Sequence, residues 1–315
     1  MRHKKLFALL LVMILAFSGL YLFYGLNPAT ARFALNRRIP NLVAMGATGI
    51  SIAVSSMIFQ TITNNRIITP SILGLDALYL LIQTVLVFFF GSAHATVVRA
   101  DLNFLLSTIL MIAFSLAFFK LLFALQKNLL VLLMAGMIFG TLFGSLSSFF
   151  QMVIDPNEFF IIQNRMFASF NNVNRSILGV AIFLTLLTLI WVAKELRLLD
   201  VLALGRDAAI NLGIDYEKNV RKFLIAVAIL VATSTALVGA ITFLGLLVAN
   251  LAYQLFNDYR HKVLISGAIL ISMLALIGGQ FLVERVFGFT TTIGVVINFI
   301  GGIYFIYLLT RETRV

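Results

Sequence analysis

The sequence lacks cysteine entirely and has little charge. It has 315 residues, of which only 11% are charged and four are prolines. The absence of cysteine excludes a disulfide framework, a thiolate metal site and a cysteine-ligated iron–sulfur cluster. Soluble proteins carry about 25% charged and about 45–50% apolar residues, whereas 61% of this chain is hydrophobic. Because a soluble chain must cover its surface with polar groups, the composition excludes a cytosolic enzyme and indicates a bilayer as the main solvent.

Residue patterns for catalysis are also lacking. His3, His94 and His261 are far apart in sequence, and there is no Gly-x-x-x-x-Gly-Lys-Ser/Thr phosphate loop or paired Asp-x-x-Asp. The chain is therefore not expected to be an enzyme, to hydrolyse ATP through such a loop, or to hold a metal or cofactor. Acidic residues that could couple transport to an ion gradient are nearly absent from the apolar stretches, Asp76 being the clearest exception. A transporter of this kind is expected to take its energy from a partner; a secondary transporter or channel without an ATPase partner is the alternative.

Long stretches without Asp, Glu, Lys or Arg dominate the sequence. They cover residues 6–31, 39–65, 77–98, 102–119, 128–154, 176–193, 223–257, 263–283 and 286–310. A spanning helix needs about 20 mostly apolar residues, so 223–257 is too long for one crossing, and Gly239 is where we expect it to divide. The first stretch is interpreted as an uncleaved helix, because no cleavage site follows it. The sequence therefore predicts an all-α polytopic membrane protein, one transmembrane domain over 1–315, with about ten transmembrane helices and nine as the alternative count.

The basic residues are distributed unevenly between the predicted loops. With ten crossings and the N-terminus inside, 16 of the 23 lysines and arginines, including every lysine, lie on the inner side. This bias predicts cytoplasmic N- and C-termini. It also explains most of the net charge of +11 by topology, without nucleic acid. Arg32, Arg37 and Arg38 are left on the outer side and require another explanation.

The segment 194–222 is the most hydrophilic part of the predicted inner side. Its leucines and alanines, from Leu199 to Ala208, predict a short amphipathic helix broken at Gly205 and a second one ending near Gly213. Two such helices parallel to the membrane would form a protrusion suited to a groove in a soluble partner. An ordinary interfacial connector is the alternative interpretation.

Several motifs resemble those of the iron-siderophore and vitamin B12 ABC importer permeases. Residues 202–213, Leu-Ala-Leu-Gly-Arg-Asp-Ala-Ala-Ile-Asn-Leu-Gly, are similar to the family's Leu-x-Leu-Gly-Glu-x-Ala-x-x-Leu-Gly element. Residues 38–41 resemble the Arg-Leu-Pro-Arg that opens its second helix, and 70–74 its Pro-Gly-Leu-Leu-Gly. Residues 242–248 and 258–260 resemble Phe-Val-Gly-Leu-Ile-Val-Pro-His and Asp-His-Arg, and 293–309 resemble the last helix. The matches follow one another in the family's order over roughly 30–310.

The resemblance implies a type II ABC importer permease that translocates a ferric siderophore. It further implies ABC ATP-binding subunits below, a second permease subunit (identical or paralogous), and an extracytoplasmic siderophore-binding protein above. The residues implied to couple to the ATPase are Leu202, Leu204, Gly205, Arg206, Asp207, Ala208, Leu212 and Gly213. Arginines at the outer mouth pair with glutamates of the binding protein in this family, which implies docking roles for Arg37, Arg38 and Arg285.

The sequence departs from the family pattern at several positions. Asn41 replaces the second arginine of the Arg-Leu-Pro-Arg motif, and Arg206 replaces the coupling glutamate. Ala249-Asn250 stand for Pro-His, and residues 290–292 are threonines where the family has Glu-Leu-Pro. These differences indicate a divergent branch of the catecholate or citrate-type siderophore importers.

Small and polar residues within the predicted spans allow two interpretations. Gly136, Gly140 and Gly144 recur every four residues, a spacing that allows close helix approach. They could line the transport path at a subunit interface or pack within one subunit. Gln60 could form hydrogen bonds between helices. Asp76, which the sequence places near an inner boundary, could serve the transport path or the N-terminus of a helix.

Overall fold

The computed structural model describes residues 2–27, 31–125, 129–171 and 173–312, and these contain helices and loops but no strand. The helices are α1 (Arg2–Phe23), α2 (Ala31–Thr63), α3 (Leu75–Phe90), α4 (Ala95–Val98), α5 (Ala100–Leu125), α6 (Leu129–Val153), α7 (Pro156–Met166), α8 (Arg175–Lys194), α9 (Leu196–Leu202), α10 (Arg206–Asn211), α11 (Tyr216–Val238), α12 (Leu244–Phe256), α13 (His261–Arg285) and α14 (Ile293–Glu312). One 3₁₀ turn, Pro70–Leu73, precedes α3. Lys127 and Arg314, two of the basic residues used to predict topology, lie outside the described residues.

Ten of the described helices are apolar enough to belong in a membrane. Seven have the length and composition to cross one: α1, α2, α5, α6, α8, α11 and α13. Three more are shorter apolar helices: α3, α12 and the Ile293–Leu308 part of α14. This agrees with the expected number of about ten. The long stretch 223–257 is divided as predicted, since α11 ends at Val238 and Gly239 follows with a φ of +100°. The chain is a multi-pass, all-α membrane protein.

The helices define two ends of the bundle. We call the end where α1 begins the N-terminal face; it also holds α9, α10 and the loop 257–260. The opposite face holds residues 24–27, the start of α2, α7 and residues 286–292. Contacts tie together distant segments at each end: Tyr216 donates to the Ile62 carbonyl at the N-terminal face, and Arg285 donates to the Tyr24 carbonyl at the opposite face.

The centre of the bundle is formed by α2 and α11, with α13 beside them. Of their most apolar windows, 78% of α2 and 72% of α11 are buried, compared with 17% of α1 and 22% of α6. The buried residues of α2 include Gly46, Gly49, Ser51, Ala53 and Ser55. Small side chains let helices approach closely where the surrounding lipid offers no hydrophobic drive for association. The bundle is therefore packed around helices whose surfaces are small and weakly polar.

The structure departs from the sequence prediction in four helices. Helix α2 starts at Ala31, well before the uncharged stretch at 39–65, so Arg32, Arg37 and Arg38 lie within its first turns. Helix α7 was not predicted, because its polar residues interrupt the apolar pattern. Helices α3 and α12 have 16 and 13 residues, which gives lengths of about 24 and 20 Å. Each is shorter than a hydrocarbon core of about 30 Å.

Candidate functional sites: an arginine concavity and a protruding helix pair

The three arginines expected to dock a partner lie together at the opposite face. Arg37, Arg38 and Arg285 line one concavity of ≈ 220 Å³, although they come from two different helices. Its other lining residues are Tyr21, Phe33, Ala34, Asn41, Glu284 and Phe289. Arg32 is exposed on α2 but does not line this concavity. Three guanidinium groups face one carboxylate here, so the site carries an excess of positive charge that suits an acidic partner.

Main-chain carbonyls hold these guanidinium groups in place. Arg38 Nη1 donates to the carbonyl oxygens of Leu22 at 2.8 Å and Tyr24 at 3.1 Å. Arg285 Nη2 donates to the same Tyr24 oxygen at 2.7 Å, and its guanidinium lies 5.1 Å from the centre of the Tyr24 ring. Arg37 donates to the Asn171 carbonyl through Nε at 3.2 Å and Nη2 at 2.9 Å. Since a guanidinium has five N–H donors, these bonds fix each group and leave donors for an incoming carboxylate.

The predicted helix pair of the segment 194–222 is present at the N-terminal face. Helices α9 and α10 are separated at Gly205, whose φ of +94° lies in a region that favours glycine. Leu199 and Leu202 are buried against the bundle, whereas Leu204 is 63% and Leu212 62% exposed. Helix α9 ends at Leu202, so Leu204 lies in the turn between the two helices and does not pack against the bundle. We call Leu204, Ile210 and Leu212, all exposed, the apolar tip.

The other predicted coupling residues surround this apolar tip. Arg206, Asp207 and Gly213 are exposed, and Ala208 is half-buried. Arg206 begins α10, where a cation is unfavourable beside the positive end of the helix dipole. Its guanidinium lies 3.7 Å from Glu217 on α11, which offsets this effect. The arginine that replaces the expected glutamate is thus paired within the chain.

A polar groove runs beside the apolar tip. It has a volume of ≈ 910 Å³ and is lined by Ala203 and Leu204 from the helix pair and by Arg66, Tyr253 and Asp258 from the neighbouring loops and α12. The main-chain N–H groups of Arg260 and Tyr259 lower the pKa of the Asp258 carboxyl, which keeps it ionised. A partner seated on the apolar tip would therefore also cover a charged surface.

The glycines of α6 do not form one uniform face. A Cβ at Gly136 would lie 2.9 Å from Leu73 Cα, and a Cβ at Gly140 would lie 3.1 Å from Gly74 Cα. These two glycines allow α6 to pack directly on the 3₁₀ turn before α3, within the subunit. Gly144 is different, since no heavy atom lies within 4 Å of the corresponding position. Of the two interpretations left open by the spacing, internal packing holds for Gly136 and Gly140.

Asp76 lies at the start of a short helix. It is in the first turn of α3, and Thr242, just before α12, donates to its Oδ2 at 3.3 Å. Since α12 is about 20 Å long, Asp76 is about that far from the N-terminal face. The Asp76 carboxyl group sits where the N-termini of two short helices meet.

Gln60 bonds to a loop and not to another helix. Its Nε2 donates to the Arg66 carbonyl at 2.8 Å, and Asn250 Nδ2 on α12 donates to the same oxygen at 2.9 Å. The Arg66 guanidinium lies 4.4 Å from the centre of the Tyr253 ring. These contacts fix the loop that leads from α2 to the 3₁₀ turn.

Sequence reasoning missed a buried polar network beneath α7. Gln83 on α3 is fully buried and donates to Asn103 at 3.1 Å and Ser107 at 2.8 Å, both on α5. Arg165 on α7 donates to Gln83 Oε1 and, at 2.7 Å, to the Val97 carbonyl. The only available signal was a set of isolated amides in apolar stretches, which does not indicate their partners.

Within residues 2–27, 31–125, 129–171 and 173–312, no group of three or more His, Cys, Asp or Glu side chains could hold a metal ion.

Comparison with known protein families shows to which family the chain belongs. The model of the FecCD transport family matches residues 6–311. The chain belongs to the FecCD transport family. Its membership confirms the resemblance to the siderophore and vitamin B12 permeases, and it identifies the protein as a membrane permease.

Curated members of the FecCD family align over most or all of the chain. The petrobactin import system permease protein YclO of Bacillus subtilis (strain 168) is 54% identical over 315 residues, covering 100% of this chain and 99% of that protein. The petrobactin import system permease protein FatC of Bacillus anthracis is 37% identical over 279 residues, and the alignment covers 88% of this chain and 79% of that protein. The vitamin B12 import system permease protein BtuC of Vibrio cholerae is 27% identical over 99% of this chain and 95% of its own length.

Solved structures support the fold of this FecCD family member. An inward-facing metal-chelate type ABC transporter has a TM-score of 0.85 at 21% identity, covering 98% of this chain and 99% of that one. PsaBC from Streptococcus pneumoniae has a TM-score of 0.60 at 15% identity, covering 93% and 94%. At these identities the similarity concerns the fold, which is that of an ABC importer permease.

Proposed function

We propose that this chain is the permease subunit of an ATP-driven importer that carries a ferric siderophore across the bacterial cytoplasmic membrane. The observation that carries the proposal is the 54% identity, over the full length of both chains, with a petrobactin import permease. Petrobactin itself, or a siderophore of the same chelate type, is the substrate we would test first.

ATP hydrolysis is assigned to separate ABC ATP-binding subunits that dock at the N-terminal face. The support is the apolar tip, since Leu204 and Leu212 are more than 60% exposed on a short helix pair that has no lipid-spanning length of its own. Exposed apolar side chains beside charged residues are typical of a protein interface. The N-terminal face would then be cytoplasmic, with both chain termini on that side.

A siderophore-binding protein is assigned to the opposite face, at the arginine concavity. The support is the convergence of Arg37, Arg38 and Arg285 on one site of ≈ 220 Å³. Arginine pairs with carboxylates in a bidentate manner and attracts acidic partners over distance. A second permease subunit, identical or paralogous, would complete the pathway, and sparsely buried helices such as α6 offer surface for it.

The proposal is tested by co-purification. The chain is expressed with its candidate ATP-binding subunit and binding protein, and the complex is isolated in detergent. We expect a stable complex whose ATP hydrolysis rises when the siderophore-loaded binding protein is added. Isolation of the permease alone, with uptake that proceeds without any ATP-binding subunit, would contradict the proposal.

A further inference from the structure

A buried hydrogen-bonded chain attaches the helix pair to the bundle. Asp200 on α9 accepts two bonds at Oδ1, from the main-chain N–H of His261 and from its ring Nδ1, each at 2.7 Å. His261 Nε2 lies 2.7 Å from Thr61 Oγ1 near the end of α2. Because a carboxylate only accepts, Nδ1 carries a proton and Nε2 is the atom that meets the Thr61 hydroxyl. Three elements, α9, α13 and α2, are thus joined through one imidazole.

This chain of hydrogen bonds is a stronger attachment than the other polar contacts between the segment 194–222 and the bundle. His261 is 2% exposed and its contacts are 2.7 Å long, whereas the Asp200 side chain is 31% exposed, so it is the ring of His261 that is shielded from water. The pairs Glu195–Lys222 at 3.6 Å and Arg206–Glu217 at 3.7 Å join side chains that are roughly a quarter to a half exposed. Exposed ion pairs of this kind contribute little. Movement of α9 would therefore be transmitted to the bundle mainly through buried leucines and through His261.

The two helices that receive this attachment are those that carry the docking arginines. Helix α2 runs from Arg37 and Arg38 at the opposite face to Thr61. Helix α13 runs from His261 to Arg285, its last residue. These helices are about 50 and 38 Å long. The Asp200–His261–Thr61 chain thus lies at the ends of two long helices whose other ends line the arginine concavity, and α2 contains Pro40 just after its arginines.

We infer that Asp200, His261 and Thr61 are positioning residues that couple the helix pair at the N-terminal face to the arginine concavity at the opposite face. The inference rests on the proposed function, because it takes the helix pair as the ATPase contact and the concavity as the binding-protein contact. Coupling between two binding sites is reciprocal. The nucleotide state of the ATP-binding subunits should therefore change the affinity for the binding protein, and this change should depend on the His261 chain.

The experiment measures that dependence in the assembled complex in lipid nanodiscs. Dissociation constants for the siderophore-binding protein are determined without nucleotide and with a non-hydrolysable ATP analogue, and their ratio is the readout. Thr61→Val removes the hydroxyl that meets Nε2, and Asp200→Asn keeps an acceptor oxygen but removes the charge that strengthens both bonds, each with little change in shape. Glu195→Gln is the matched control, because it removes an exposed pair of the same segment.

We expect Asp200→Asn and Thr61→Val to reduce the ratio by about threefold or more, while nucleotide-free affinity, thermal stability and subunit association stay near wild type. Glu195→Gln should keep the wild-type ratio. An unchanged ratio in both variants, or an equal loss in Glu195→Gln, would overturn the inference. If Asp200→Asn does not fold, the ratio measured for Thr61→Val alone tests the inference, since this variant removes a single hydroxyl. Failure of the wild-type complex to assemble would instead contradict the proposed function.

Discussion

Arg38 and Arg285 donate hydrogen bonds to the same main-chain oxygen, that of Tyr24, at 3.1 and 2.7 Å. One residue lies on α2 and the other ends α13, so a single carbonyl holds two like charges near each other. Like charges repel, and holding them together is favoured when a partner supplies carboxylates. The arrangement therefore suits a partner with an acidic surface.

Neutralising these arginines should weaken capture of the binding protein. Arg38→Gln and Arg285→Gln keep an N–H donor for the Tyr24 carbonyl but remove the charge. We expect association rates to fall by about tenfold at low salt and less at high salt, because steering is screened. The measurement is surface binding of the siderophore-binding protein to permease in nanodiscs. Arg32→Gln is the control, since Arg32 is exposed on the same helix but outside the concavity, and an equal effect there would argue against a specific site.

Charge placed on the apolar tip should prevent association with the ATP-binding subunit. Leu204 and Leu212 are 63% and 62% exposed, so Leu204→Glu and Leu212→Glu are expected to fold normally. A carboxylate buried in an interface without a partner is strongly unfavourable, and we expect loss of the complex in size-exclusion chromatography. Lys218→Glu, an exposed change in the first turn of α11 on the same face, should leave the complex intact. Normal association of both leucine variants would show that the tip is not the contact.

The glycines of α6 should differ in their tolerance of alanine. Gly136→Ala places a Cβ 2.9 Å from Leu73 Cα, which requires backbone movement and should lower the free energy of unfolding by about 1–3 kcal/mol. Gly144→Ala meets no heavy atom within 4 Å and should be neutral or stabilising, since alanine favours a helix over glycine. Thermal unfolding of the purified permease in detergent compares the two. Equal melting temperatures would contradict the packing described for Gly136.

Replacing the Asp76 carboxyl group should destabilise the junction of α3 and α12. Asp76→Asn keeps the shape but places the N–H donors of an amide at two helix N-termini, whose free main-chain groups are also donors, and we expect a loss of about 1–2 kcal/mol. Thr242→Val removes only the 3.3 Å bond and should cost less. If Asp76→Asn instead abolishes uptake with unchanged stability, Asp76 serves the transport path and not the helix junction.

The transmembrane helices could be predicted because charge is costly in lipid. Uncharged stretches therefore mark the spans, and Gly239 marks the division of the longest one. The arginine concavity was also predictable in part, since Arg37 and Arg38 are cations on the side where the topology rule disfavours them. The resemblance to a family was needed to add Arg285, which is distant in sequence.

Other features depend on contacts that no local pattern encodes. Gly74 and Gly140 are close in space but far apart in sequence, so the ladder in α6 could not reveal what it packs against. The distance of Asp76 from the N-terminal face could not be predicted, because it depends on the short length of α12 and on the contact with Thr242. His261 has no local signal, since its two partners, Asp200 and Thr61, come from distant parts of the chain.

The central claim is that a separate ATPase drives uptake through this permease, and uptake by proteoliposomes tests it most directly. The permease is reconstituted with its ATP-binding subunits, and ferric siderophore labelled with radioactive iron is supplied with the binding protein. The account predicts accumulation that requires ATP and both partners and is lost in Leu204→Glu. Accumulation driven by a proton or sodium gradient, with the ATP-binding subunits omitted, would contradict it.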